Sequence, residues 1–228
     1  MPPAGGTVCF PGAGSFGSEL QPMVAALKPA AWIVRYPGRF GRDFGVPAES
    51  FDALVGACAA QVVDRSPAGP VLFGHSFGAY VAYATAAALQ ASGVGVSALV
   101  LVGAGAPGYF DVPAQATGTP AEVAAYLEGI DPGALAAASS DDWREAVVET
   151  AAQDMRLLRQ FDAASIGPVS CPIIAVRGED DPLASAVGIQ QWEHFTTGRF
   201  TARSLPGGHS DLLGSPACIS WMRESTLG

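Results

Sequence analysis

Short unbroken apolar runs alternate along this chain with longer stretches whose apolar residues recur every three or four positions. TVCF (7–10), AWIVRY (31–36), PVLFG (70–74), SALVLVG (97–103), CPIIAVRG (171–178) and FTARSLPG (200–207) read as strands. The middle four are nearly all apolar, as strands covered on both faces should be. Between the runs the spacing predicts helices near 18–28, 50–64, 77–91, 184–195 and 214–225. Such alternation, with right-handed crossovers, gives an α/β fold: a mostly parallel sheet with helices on both faces.

Residues 107–165 break the rhythm, with no convincing strand. Thr119-Pro120-Ala121-Glu122 has capping-box spacing with proline at the first helical position. Trp143, Val147, Ala151, Met155 and Leu158 recur at helical spacing. Two or three inserted helices are expected, within one domain spanning 1–228. Ordinary crossover packing would account for them. A lid over a site is the reading preferred here, because the insertion follows the strand beside the GHSFG turn (74–78).

Composition narrows the class. The chain has 228 residues, 49% hydrophobic and 14% charged, which suits a sizeable core and excludes disorder. No apolar run approaches the ~18 residues of a membrane span. MPPAGGTV (1–8) has neither the basic nor the apolar region of a leader, so a soluble cytoplasmic protein with no membrane partner is expected. The net charge of −9, with Lys28 the single lysine, argues against nucleic acid as a partner. Cys9, Cys58, Cys171 and Cys218 lack CxxC spacing and read as reduced core thiols; without a His/Cys cluster no metal is expected.

The chemistry gathers where strands end. In Gly74-His75-Ser76-Phe77-Gly78, G-x-S-x-G between a strand and a helix reads as a nucleophile elbow that lifts Ser76 above the sheet. A serine needs a base. Of three histidines, His75 sits inside the elbow and should point away from the Ser76 hydroxyl, and His194 lies in the helical stretch IQQWEHF, where a surface or packing role is expected. His209 follows LPGG after the last strand, can reach over the sheet, and is assigned as the base. GEDDP (178–182) ends another strand and offers Asp180 or Asp181 as the carboxylate behind that base; the order Ser…Asp…His results. The backbone N–H of Phe77, and one from the loop FPGAGS (10–15), with Ala13 the expected donor, would form an oxyanion hole.

CFPGAGS, YPGRFGRD, LFGHSFGAYVAY, GEDDP and LPGGH, in this order from Cys9 to His209, resemble the stand-alone type II thioesterases of polyketide and nonribosomal peptide synthesis. The resemblance implies an α/β-hydrolase fold with a helical lid. It also implies hydrolysis of acyl groups from the phosphopantetheine arm of an acyl or peptidyl carrier protein, with no cofactor held by the enzyme itself. In the family pattern the triad acid is the fourth residue of G-x-x-D, which is Asp181. In the sibling releasing thioesterases the acid usually ends the preceding strand, near Gly103, and the first acid beyond it here is Asp111. A small-molecule carboxylesterase or acyltransferase, or a binding protein without turnover, could carry the same triad. Three features depart from the pattern: Ser210-Asp211 replaces an aromatic pair, only Asp154 aligns in the middle of the lid, and the chain starts almost at its first strand, as an excised domain would. Carrier proteins are usually acidic, so Arg35, Arg39 and Arg42 are expected either to form a docking surface or to pair with Asp43 and other acids.

Overall fold

The structure, a computed structural model, describes residues 6–227 except 29, 67 and 137; residues 1–5 of the N-terminal stretch considered above lie outside it. The strands are β1 (Thr7–Phe10), β2 (Ala31–Ile33), β3 (Val71–His75), β4 (Ala98–Val102), β5 (Ile173–Gly178) and β6 (Phe200–Leu205). They form one sheet of order β2-β1-β3-β4-β5-β6, and every pairing is parallel. The helices are α1 (Gln21–Leu27), α2 (Phe51–Arg65), α3 (Phe77–Ala91), α4 (Pro120–Ile130), α5 (Asp141–Leu158), α6 (Ala163–Ile166), α7 (Ala186–Gln190) and α8 (Pro216–Leu227), joined by several 3-10 turns.

Period-two alternation along the strands builds two cores. Val8, Phe10, Leu72, Leu99, Leu101 and Ala175 face the layer that contains α2 and α3. Cys9, Phe73, Val100, Val102 and Val176 face the layer of α1 and α8. The cysteines divide between them: Cys58 and Cys171 lie in the first core, Cys9 and Cys218 in the second, all buried as free thiols. α3 carries small residues all round and lies against the sheet. A Cβ on its Gly78 would meet Phe10 O at 2.2 Å.

One expectation is overturned. AWIVRY is not covered on both faces: β2 is an edge strand whose Trp32 and Ile33 are half-buried, whereas TVCF is interior and buried throughout. β2 also stops early, because the Arg35 N–H and carbonyl leave the sheet for the side-chain amide of Gln61 on α2, at 3.0 and 2.8 Å. The expected helix over 184–195 is α7 followed by a 3-10 turn over Gln191–Phe195.

Between β4 and β5 the chain forms the helical insertion, chiefly α4 and α5. The capping box is present: Thr119 N–H donates to the Glu122 carboxylate at 2.8 Å, and Glu122 N–H to Thr119 Oγ1 at 3.4 Å. Val123, Leu135, Val148, Ala151 and Ala152 give the insertion a core of its own, while Met155 and Leu158 join the main core. Among the described residues no helix is long and apolar enough to cross a membrane.

Candidate active site

The strand order reverses at β1. The chain leaves β1 toward β2 on one side and resumes at β3 on the other, so the loops after β1 and β3 part and open a crevice at the carboxyl end of the sheet. Ser76 stands on one wall. It is the one non-glycine among the described residues with a positive φ (φ 54, ψ −121). Its N–H donates to Val102 O at 2.8 Å, which anchors the turn to β4. The flanking glycines are required by space: a Cβ on Gly74 would lie 2.3 Å from Gly78 O. A strained serine at the start of a buried helix is the elbow expected from the sequence.

His209, on the loop after β6, is buried, and its Nδ1 lies 3.0 Å from both Oδ1 and Oδ2 of Asp181. A carboxylate only accepts, so the ring proton sits on Nδ1 and Nε2 keeps a free lone pair. Asp181 also accepts from the N–H groups of Leu183 (2.8 Å) and Ala184 (3.2 Å). Burial pushes its carboxyl up, but His209 and these two N–H groups outweigh burial and hold it below the ordinary carboxylate value. Asp180 is exposed and takes no part. Gly103, at the end of β4, abuts the pair; a Cβ there would meet His209 Cε1 at 3.0 Å and Asp181 Oδ2 at 3.3 Å. The space in which a β4 carboxylate would sit is therefore taken up by the β5 carboxylate.

Ser76 and His209 line one cavity of about 290 Å³, with Ala13, Leu127, Trp143 and Met155 among its walls. The Ser76 hydroxyl makes no hydrogen bond to the ring. Among the described residues no acceptor takes the N–H of Ala13 or of Phe77, the first residue of α3.

The loop after β1 is braced on every side. Gly12 N–H donates to Glu19 Oε1 at 3.1 Å and the Ser15 hydroxyl to Glu19 Oε2. The Tyr36 hydroxyl donates to Pro11 O at 3.0 Å. Asp154 of α5 accepts from Gly14 N–H at 2.8 Å and from Arg39 at 2.5 Å, and Arg39 also donates to Ser15 O at 2.8 Å. Gly14 has φ +70, and a Cβ there would lie 2.8 Å from Ala151 Cβ, so only glycine lets α5 pack so close. Arg39 is thus 4% exposed and faces inward, which removes it from the expected docking surface and bears out pairing with an acid instead. Arg35 and Arg42 are exposed. The sequence signalled the need for a cation, though not which one: Asp154 lies among Ala151, Met155 and Leu158 on the inward stripe of α5, where a carboxylate must be paired.

His75 does not contact the Ser76 hydroxyl; its Nε2 bonds to His209 O at 3.0 Å. Burial first, then the neighbouring His209, lower its pKa to about 3 and keep it neutral. His194 is exposed, 3.7 Å from Glu193. Ser210 bonds to Asp131 of the insertion through its N–H (3.1 Å) and its hydroxyl (2.6 Å).

A family model of the thioesterase domain matches residues 7–225. Thioesterase TesA of Mycobacterium marinum is 28% identical over the full chain, which covers 89% of that protein. A probable cadicidin biosynthesis thioesterase of Streptomyces griseus is 27% identical over 89% of the chain, and the chain spans 56% of that protein's length. Among solved structures, the type II thioesterase BorB from the borrelidin biosynthetic cluster aligns with a TM-score of 0.85 and 28% identity, over 97% of this chain and 92% of that one. The chain has the α/β-hydrolase fold and belongs to the thioesterase family.

Proposed function

We propose that the protein is a serine thioesterase that hydrolyses acyl groups from the phosphopantetheine arm of an acyl or peptidyl carrier protein, clearing stalled or misprimed chains. The observation that carries this reading is the hydrogen bond that His209 Nδ1 shares between both oxygens of Asp181, which leaves Nε2 bare in the cavity it shares with the strained Ser76. Ser76 attacks the thioester carbonyl and His209 Nε2 takes its proton. Asp181 holds the tautomer and stabilises the imidazolium. The N–H groups of Ala13 and Phe77 hold the oxyanion; removing one such donor costs roughly 3–4 kcal/mol. Collapse breaks the C–S bond, and His209 returns the proton to the departing pantetheine thiolate, an easy leaving group with a pKa near ~8.5. Water, deprotonated by His209, then attacks the acyl-enzyme and releases the free acid and Ser76. The insertion, whose α4 and α5 roof the cavity with Leu127, Trp143 and Val147, serves as the lid.

The test uses a carrier protein loaded with acetyl, propionyl or a longer acyl group. Wild type and Ser76→Ala are incubated with each, and deacylation is followed by intact mass. Release by wild type alone, faster than cleavage of a p-nitrophenyl ester, is expected. Ester cleavage without carrier deacylation would make the protein a carboxylesterase.

A further inference from the structure

The peptide unit joining His209 to Ser210 is gripped at both of its polar ends by groups outside the proposed triad. Its carbonyl oxygen accepts from His75 Nε2 at 3.0 Å. Its N–H donates to Asp131 Oδ1 at 3.1 Å, and the Ser210 hydroxyl adds a bond to Asp131 Oδ2 at 2.6 Å. A carbonyl can only accept, so His75 carries its proton on Nε2; Nδ1 is then a bare acceptor, buried and without a partner.

The two grips come from different parts of the fold. His75 ends β3 and directly precedes Ser76. In the sheet, β4 and β5 separate β3 from β6, so no ladder bond sets the loop after β6 against the elbow. The His75 bond spans that gap. Asp131 follows α4 at its C-terminal end and is itself firmly held. Its N–H donates to Leu127 O at 3.1 Å and its carbonyl accepts from Ala134 N–H at 2.8 Å. The Glu128 carboxylate braces the same turn through the N–H groups of Gly133 (2.7 Å) and Leu135 (3.0 Å). A planar peptide fixed at both its O and its N–H has little freedom to rotate, and the direction of the His209 side chain depends on the Cα attached to it.

We propose that His75 and Asp131 are positioning residues that act through His209: they clamp the 209–210 peptide between elbow and insertion, and through Asp131 the insertion sets the approach of the imidazole to Ser76. The proposal rests on the reading of His209 as the base. It gives the insertion a second task besides enclosing the acyl group, because displacing α4 would release one side of the clamp.

Asp131→Ala, Asp131→Asn, His75→Leu and His75→Gln are compared in two assays. One is steady-state deacylation of the loaded carrier. The other is the rate at which Ser76 reacts with a fluorophosphonate, which needs the base and the elbow but no recognition of carrier or acyl chain. Asp131→Ala and His75→Leu are expected to lower both kcat and the phosphonylation rate about tenfold, with KM held within about twofold. Asp131→Asn keeps an acceptor for the Ser210 N–H, and His75→Gln keeps a donor for the His209 carbonyl; each is expected to recover most of the loss. Should His75→Leu fail to fold, His75→Gln and the Asp131 pair still decide. Asp131 lines the cavity beside Ser210, so a raised KM in Asp131→Ala with kcat and phosphonylation preserved would mean that it acts only as a wall and would overturn the proposal. Equal losses in the conservative variants would overturn it too. A wild type that is phosphonylated at Ser76 but deacylates no carrier refutes the proposed function while the clamp is still measured by phosphonylation. A wild type inert to the fluorophosphonate removes the base, and the clamp with it.

Discussion

Asp180 and Asp181 are neighbours in sequence and opposite in circumstance: one side chain meets water, the other is buried against His209 and two backbone N–H groups. Asp181→Asn is therefore expected to lower kcat by about 10³–10⁴-fold, since an amide stabilises the wrong tautomer of the base, while Asp180→Asn stays within about twofold of wild type. Steady-state rates of the two variants side by side check the assignment, and equal losses would sink it. His75 leads to a prediction about acid stability. The native state holds it near pKa 3 by burial, and the unfolded chain returns it to about 6.5. Between those values the unfolded state binds the extra proton. Stability is thus fully present above about pH 6.5 and declines as pH falls toward about 3, by on the order of 5 kcal/mol over the window. In His75→Gln this part of the acid slope should vanish, as urea denaturation at a series of pH values would report. An unchanged slope would mean that His75 titrates freely in the native state.

The loop after β1 and helix α5 form one unit, joined by Gly14, Arg39 and Asp154. Both charges of the pair are almost fully buried. Removing one leaves the other without compensation, so Asp154→Ala is expected to cost about 3–5 kcal/mol in urea denaturation, and a double variant Arg39→Met/Asp154→Leu less than the sum of its parts. A single-variant loss under about 1 kcal/mol would show that water already reaches the pair. Legibility in the sequence follows the distance over which each feature is built. The elbow was readable because its glycines, its serine and the Phe77 N–H lie within five consecutive residues, 74–78, and act through backbone geometry. His209 was readable because few histidines compete with it. Arg39–Asp154 and Asp131–Ser210 join residues 115 and 79 positions apart, across an insertion whose helices can be foreseen but whose docking angle cannot. The YPGRFGRD stretch looked basic and outward for that reason, although its central arginine closes a core. β2 teaches the same lesson: an apolar run marks a strand, but Trp32 and Ile33 are equally apolar at an edge, where Arg65 lies over the Trp32 ring at 5.1 Å.

The strand reversal at β1 decides where chemistry can occur: it brings the ends of β1 and β3 side by side while their loops diverge, and every proposed role falls on a loop at that end of the sheet. The charge of the protein bears on how a partner arrives there. With Arg39 inside, Arg35 and Arg42 are the exposed arginines after β2, set against a net charge of −9. Association with an acidic carrier should therefore speed up as salt rises from about 20 to about 200 mM, because screening removes more repulsion than attraction. Stopped-flow association rates that fell over this range would instead reveal a dominant basic contact. A last consequence comes from the four buried thiols. Burial raises all of them, Cys9 to about 12, Cys171 and Cys218 to about 11 and Cys58 further still, with Glu19 adding to the rise at Cys9. A thiol that far from ionising does not alkylate at neutral pH until its shelter opens. Cys9 and Cys218 sample one side of the sheet, Cys58 and Cys171 the other. The chain thus carries a recorder of its own breathing: the order in which iodoacetamide adds mass to these sites would show whether the two helical layers detach together or one before the other.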